Sequence, residues 1–529
     1  MSQKLPIGIQ DFVKIREDGF LYVDKTARIH ELLTGSGGTF FLSRPRRFGK
    51  SLLCSTMGAI FEGRRELFQA IAGQPALAID RLEWDWRKRP VIRIDLNPGD
   101  YTQGLKELDE TINTALKINA KKYGVPFDGE TIGGRFTQLL RNVSEKYNER
   151  AAVIIDEYDK PLLSTIDEKE LHKIMRNALK GFYGVLKSSD QYLTFVFLTG
   201  VTKFAQVSIF SELNNITDLT LDSAYYDLCG ITQEELERDF ESEIDRIVRE
   251  KNSDKKTYLD ELRRFYNGYR FSQDPVTVYN PFGLLNHFHR NGEFDAYWFA
   301  TGTPTFLIKL IEEQKIDILN LENESVMLAD FQRFDVENME AVPVLYQSGY
   351  LTIVDYDDEA KEYYLDYPNE EVRASFSRSL VEYYIHAPEA DFHSLSRILP
   401  RTLVRGDVDG ALNAIKSFLA SIPSDIQIKK ERYYQTVFHL IFRMLGLTCR
   451  SEVRLAAGRI DSLVETKNYV YCFEFKLDKS AGEALAQIDS KDYLLPWQGS
   501  GKKLFKVGVN FVYQDRNIGE WQVVESAGI

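Results

Sequence analysis

Gly49-Lys50-Ser51 closes the run Phe40-Phe41-Leu42-Ser43-Arg44-Pro45-Arg46-Arg47-Phe48, between a predicted strand and a predicted helix. Phosphate binding needs a loop whose backbone N–H groups surround the anion, a lysine for the outer phosphates and a hydroxyl for Mg²⁺. The following helix adds its N-terminus. Arg46, Arg47, Phe48, Gly49, Lys50 and Ser51 therefore form a candidate Walker A loop for ATP, with Ser51 on the metal. The first glycine of the pattern would fall at Arg44, so the turn must close without glycine there. Ala151–Ile155 is an apolar strand ending in Asp156-Glu157, the Walker B form. Asp156 would hold Mg²⁺ through water and Glu157 would activate the attacking water. Taken singly, each motif has an ordinary reading, as a basic helix start or as a core strand ending in a charged turn. In this order, each at a strand end, they point to an ATPase. A further strand, Tyr192–Leu198, ends at Thr199-Gly200, which makes Thr199 a candidate sensor of the outermost phosphate or an ordinary strand end.

A second constellation lies near the C-terminus. Gly458-Arg459-Ile460-Asp461 is followed 13 residues after Asp461 by Glu474-Phe475-Lys476. Two antiparallel strands joined by the turn at Lys467-Asn468 bring Asp461 and Glu474 side by side. Glu474 and Lys476, two apart, share a strand face. Two carboxylates beside a lysine are costly unless they share a cation. Asp461 and Glu474 would hold Mg²⁺ through oxygen, and Lys476 would orient or deprotonate water for phosphodiester hydrolysis. The alternative is an exposed strand with alternating charges, but Val470, Cys472, Phe473, Phe475 and Leu477 surround the pair. This order resembles the PD-(D/E)XK nuclease constellation. The resemblance places an additional acid, Glu431, on a helix predicted over 429–446, and a polar active-site residue, Gln487, on a later helix.

These groups need elements to position them. The apolar runs Thr39–Leu42, Val91–Leu96, Ala151–Ile155 and Tyr192–Leu198 alternate with amphipathic stretches such as Leu105–Lys121 and Glu168–Leu186. That pattern predicts an α/β fold, a parallel sheet with helices on both faces. From about 230 the chain reads as helical, opening on a capping box at Thr232 and Glu235. Tyr346–Val354 and Glu362–Tyr367 read as a hairpin after a helix, as a winged-helix module would have. The expected spans are a P-loop domain over 1–225, a helical and winged-helix region over 226–370, a helical linker region over 371–424, and a nuclease-like α/β domain over 425–529.

Phe20-Leu21-Tyr22-Val23-Asp24-Lys25-Thr26, Arg44–Ser51 and Ile155-Asp156-Glu157-Tyr158-Asp159-Lys160-Pro161 resemble the AAA-ATPase-like family of bacterial proteins. The resemblance continues through Tyr266-Asn267-Gly268-Tyr269-Arg270-Phe271 and Tyr279-Asn280-Pro281-Phe282. It implies an additional-strand P-loop core with a winged-helix module, an arginine commonly found where Arg44 stands, and adenine bordered by Tyr22–Lys25. A PD-(D/E)XK domain commonly follows in that family.

Composition bounds the rest. The 529 residues are 43% hydrophobic and 27% charged, an ordinary globular balance. No stretch approaches the roughly 18 apolar residues of a membrane helix. Val437–Leu447 comes nearest and is broken by His439 and Arg443. The N-terminus is no secretory signal, and Cys54, Cys229, Cys449 and Cys472 form no paired pattern, so the cytoplasm is expected. The net charge of −13 disfavours a nucleic-acid partner, but from Asp425 onward 15 Lys and Arg face 13 Asp and Glu. The acidity belongs to the rest of the chain. His287 and His289, two apart on a helix, do not share a face and read as packing. The leading reading is an ATP-dependent or ATP-gated nuclease for DNA or RNA, of use in mobile-element or defence biology. The alternative is an ATP switch that binds nucleic acid or partners without cutting, and a scaffold with degenerate sites stands third. A homo-oligomer is left open.

Overall fold

Ala151–Asp156 (β3) is buried along its whole length, as a strand covered on both faces must be. In this computed structural model, which describes residues 4–203, 216–301, 305–314, 316, 318, 321, 325–327, 340–385, 389–421, 431–445, 448–455 and 458–526, β3 is central to a parallel sheet. Its neighbours are Val91–Asp95 (β2), Leu193–Gly200 (β4), Thr39–Ser43 (β1) and Ile216–Asp218 (β5), in the order β2-β3-β4-β1-β5. β4 is thus inserted between the strand that feeds the P-loop and the strand that ends in Asp156. The four longer strands lie where the sequence pattern puts them. The three-residue β5, too short for a periodic signal, was not anticipated.

The helices follow from their spacing. Leu105–Tyr123 buries Leu108, Ile112, Leu116 and Ala120, one stripe at four-residue intervals, and ends on Gly124 with φ 59°. Lys169–Ser188 repeats the pattern with Met175, Leu179, Phe182 and Leu186. Thr232 and Glu235 form the expected capping box of Gln233–Asp239. This helix joins Glu241–Glu250, Lys255–Tyr266 and Pro281–His289 around Phe240, Ile244, Leu262 and Phe288.

One expectation is corrected. Tyr346 does not open a strand, because Ala341–Ser348 is helical and buries Val344, Leu345 and Tyr346. Gly349, at φ 88°, ends the helix, and the hairpin begins only at Thr352. Its strands, Thr352–Asp357 (β7) and Glu362–Asp366 (β8), carry Ser325–Met327 (β6) as a third strand on the far side of β8.

The chain packs as two compact units, Met1–Trp298 with Asn323–Asn369, and Phe299–Glu322 with Glu370–Ile529. The spans 1–225 and most of 226–370 thus share one unit, and the helices of 371–424 share the other with 425–529. In the second unit Glu370–Ile385 packs on Glu431–Met444, the helix expected over 429–446. The sheet order is β13-β12-β11-β10-β9: Asn517–Ser526, Lys503–Val512, Tyr469–Leu477, Gly458–Glu465 and Thr448–Leu455. Only β11 and β12 run parallel, joined through Ala481–Ser490. That helix sits so close that a Cβ at Gly508 would lie 2.3 Å from the Ala481 carbonyl oxygen. The outer strands β9 and β13 were not anticipated. No described helix is long and apolar enough to cross a membrane.

Candidate nucleotide and metal sites

β1 ends at Ser43 and the helix Lys50–Phe61 begins after six intervening residues, so the loop must reverse tightly. The left-handed conformations that achieve this fall at Arg47 (φ 65°) and Gly49 (φ 93°), which frees position 44 from needing glycine. Arg44 instead points into the core. Its guanidinium donates to the carbonyls of Ser43, Thr220 and Tyr225 and lies 4.2 Å from the Phe271 ring centre. Burial lowers its pKa. Phe48 is buried edge-on against Tyr269 and Phe271. Arg46 and Arg47 are exposed, with Arg47 over Phe282 and the Arg46 carbonyl accepting from the Trp298 indole at 2.9 Å. The Phe48 ring packs into the core, which leaves its backbone N–H in the loop. Phe48 and Gly49 line a cleft, and the Lys50 side chain is buried beneath the loop.

The Lys50 ammonium donates to the carbonyls of Arg44 (3.1 Å) and Pro45 (3.2 Å) and lies 3.5 Å from a Glu157 carboxylate oxygen. Asp156 ends β3 with its carboxyl accepting from the Glu157 N–H at 3.1 Å and with Ser51 close by. Burial pushes that carboxyl up to about 6, with Ser51 opposing. Ser51, Asp156 and Asp95 line one open cleft of about 290 Å³. Asp95 pairs in register with Asp156 and was not singled out from the sequence, although the strand Val91–Asp95 ends in an acid just as β3 does. Thr199 is fully buried and donates its hydroxyl to the Leu42 carbonyl at 2.9 Å, so its side chain binds the neighbouring strand.

A second cleft, mostly apolar, opens beside Gly49. Leu21, Tyr22, Val23, Lys25, Ile231 and Leu285 line it, which brings the segment expected to border adenine next to the phosphate loop. The Lys25 ammonium contacts both Glu235 carboxylate oxygens at 2.6 and 2.7 Å. Glu235 also accepts from the Thr232 backbone, so the capping box fixes the wall of the cleft.

In the second unit the antiparallel pairing of Ser462 with Phe473 puts Asp461 opposite Glu474, as the 13-residue spacing required. Asp461 accepts from the Phe475 backbone N–H at 2.9 Å. Lys476 donates to Glu474 at 2.9 Å. Glu474 is 1% exposed, and its other carboxylate oxygen has no hydrogen-bond partner among the described residues. Burial first and the Asp461 charge second push the Glu474 carboxyl up to about 7, with Lys476 opposing. An orphaned carboxylate oxygen beside a second carboxylate fits a hard divalent cation, which prefers such oxygen donors.

Around this core the expectations divide. Glu465, on the same strand as Asp461, is tied away from it by Trp497 (3.2 Å) and Lys502 (3.0 Å). Gln487 is half-buried on Ala481–Ser490. The side chain of Glu431 lies outside the described residues. The helix residue that reaches Asp461 is Gln435, whose amide nitrogen lies 3.3 Å from the Asp461 carbonyl and 3.4 Å from its carboxylate. Gln435 is one helical turn beyond Glu431, the spacing that could have found it. His287 is buried, hydrogen-bonded to the Tyr258 hydroxyl (2.7 Å) and the Glu293 carbonyl (3.0 Å), a packing role.

Residues 6–210 match the model of a family described as "Predicted AAA-ATPase", and residues 429–521 match the PD-(D/E)XK nuclease superfamily. The chain is 37% identical over 537 residues to an uncharacterized protein in the vnfD 5′ region of Azotobacter chroococcum mcd 1, covering 99% of each. It also matches the ORC2 protein of Aeropyrum pernix in its ADPNP–ADP complexes at 13% identity, covering 67% of this chain and 92% of that one. The TM-score is 0.22, too low to support an argument.

Proposed function

The chain belongs to the AAA-ATPase-like family and ends in a PD-(D/E)XK nuclease superfamily domain, and from this we propose that ATP binding and hydrolysis in the first unit control a Mg²⁺-dependent nuclease in the second. The observation that carries the nuclease half is the buried Glu474 oxygen without a partner, facing Asp461 and flanked by Lys476. A divalent cation bound there supplies phosphate polarisation and a more acidic water. The chain's own residues do the rest. Asp461 is oriented by the Phe475 N–H, and Lys476 holds a positive charge where the attacking water and the developing phosphorane charge would lie.

In the ATPase half, Lys50 would exchange its bonds to the Arg44 and Pro45 carbonyls for nucleotide phosphates. Ser51 and Asp156 would hold Mg²⁺, and Glu157 would orient and deprotonate water. The base would occupy the apolar cleft between Val23 and Ile231. Control by nucleotide is supported by Trp298, which donates to the P-loop carbonyl of Arg46 and is the last residue before the chain passes into the second unit at Phe299. The substrate is DNA or RNA, and the architecture suits mobile-element or defence biology.

The test is incubation of the purified full chain with single- and double-stranded DNA and RNA, with and without Mg²⁺ or Mn²⁺ and ATP. Metal-dependent cleavage that Lys476→Ala abolishes, while metal binding persists, supports the reading. ATP turnover without cleavage under any condition replaces it with a non-cutting ATP switch.

A further inference from the structure

We propose that Asp159 is a positioning residue for ATP hydrolysis, locking the turn that carries Glu157 to the chain leaving β4. The inference rests on the reading of Glu157 as the residue that activates water. Asp159 has no exposed surface. One of its carboxylate oxygens accepts three hydrogen bonds, from the Val201 N–H (3.0 Å), the Thr202 N–H (2.6 Å) and the Thr202 hydroxyl (2.7 Å). The other has no hydrogen-bond partner among the described residues. A buried carboxylate without a contacting cation among the described residues is an expensive way to fill a core, where an amide or an apolar side chain would cost less. Burial accordingly raises its pKa.

The turn it anchors has reason to need anchoring. Glu157 stands at φ 52°, left-handed backbone that a residue with a Cβ keeps only when its surroundings impose it. Neighbouring bonds fasten both sides of the turn. The Tyr158 N–H donates to the Thr199 carbonyl at 3.0 Å and its hydroxyl donates to the Thr202 carbonyl at 3.0 Å. Tyr183 donates to the Tyr158 carbonyl from behind, also at 3.0 Å. Gly200 admits the close approach, since a Cβ there would lie 2.4 Å from Asp159 Oδ1. Thr199 to Thr202 and Asp156 to Asp159 are thus tied together by hydrogen bonds. The first of these segments continues into Lys203, whose N–H donates to Gln347 on the helix Ala341–Ser348 and whose ammonium pairs with Asp218 of β5. Asp159 therefore reaches the reaction through the position of Glu157.

Asp159→Asn keeps the shape and an acceptor oxygen for the three donors but removes the charge. In the full chain its kcat for ATP should fall by about tenfold, the effect of weakening one charge-assisted hydrogen bond. ATP affinity, read by binding of a fluorescent analogue, should stay within about twofold. The deciding measurement is a double-mutant cycle under single-turnover conditions. If Asp159 acts through Glu157, Asp159→Asn should have no further effect in a Glu157→Gln background. The same loss in both backgrounds, or wild-type kcat in Asp159→Asn alone, overturns the proposal. Thr202→Val, which removes only the hydroxyl donor, should lower kcat in the same direction without loss of fold, and an unchanged kcat there counts against it. If Glu157→Gln itself turns over ATP at the wild-type rate, the assignment of Glu157 falls and takes this inference with it, a result distinct from failure of Asp159→Asn alone.

Discussion

Glu474→Gln tests the metal site without any nuclease substrate. In the native protein the Glu474 carboxyl is displaced from its usual 4.5 to about 7, by burial and then by Asp461. A carboxyl raised in this way binds its proton more tightly folded than unfolded, so its contribution to stability is complete below pH 4.5 and is lost as pH rises through about 7. At about 1.4 kcal/mol per pH unit, the full window is worth about 3 kcal/mol, and most of it falls between roughly pH 5 and 8. Glutamine carries no such proton and should escape the loss. The attraction of Lys476 for the ionised carboxylate is already contained in the displaced value, so it adds nothing further to the pH dependence. For a unit of this size, 1 kcal/mol moves the midpoint by about 2–4 °C. Scanning calorimetry of the full chain in EDTA should therefore show the wild-type C-terminal transition dropping by roughly 5–10 °C more than the variant's between pH 5 and 8. Adding Mn²⁺ at the higher pH should restore the wild type, because the cation replaces the proton, and should barely move the variant. Parallel pH profiles would refute the burial argument, and equal Mn²⁺ shifts would refute the metal site.

Three further outcomes are expected. Lys50→Ala should weaken ATP binding by at least about tenfold, since the ammonium sits at the start of the helix beside Glu157, and an unchanged titration curve would remove the P-loop assignment. Arg44→Gly restores the glycine of the common pattern yet should cost about 2–4 kcal/mol in urea unfolding, because it deletes the bonds to Ser43, Thr220 and Tyr225 and the stacking on Phe271, and it should not improve ATP affinity. Asp461→Ala should abolish metal-dependent cleavage while Glu465→Ala keeps it, since Trp497 and Lys502 hold Glu465 elsewhere, and equal loss in cleavage assays would show that the site has been misplaced.

Both sites were legible in the sequence where the chemistry is local. The motif from Gly49 to Ser51, the strand ending in Asp156 and Glu157, and the pairing of Asp461 with Glu474 follow from short-range rules. A strand alternates every two residues, and a short antiparallel connection fixes its own register. The capping box at Thr232 and Glu235 belongs to the same class, closing within one helical turn. Tyr346 was misassigned within this local range, because a buried helix and a buried strand look alike over a few apolar residues.

What only the tertiary structure decided are contacts between segments far apart in the chain. Nothing near Arg44 announces that its guanidinium will be spent on carbonyls at Thr220 and Tyr225. Lys25 meets Glu235 across 210 residues, and Asp95 joins Asp156 only because β2 lies beside β3. Gln435 reaches Asp461 because the helix Glu431–Met444 presents that turn to β10. The orphaned oxygen of Glu474 exists only once the core has closed over it. Sequence fixes residue types and local periods, whereas burial, partner and pKa depend on which distant surfaces the packing of the sheets and helices brings together.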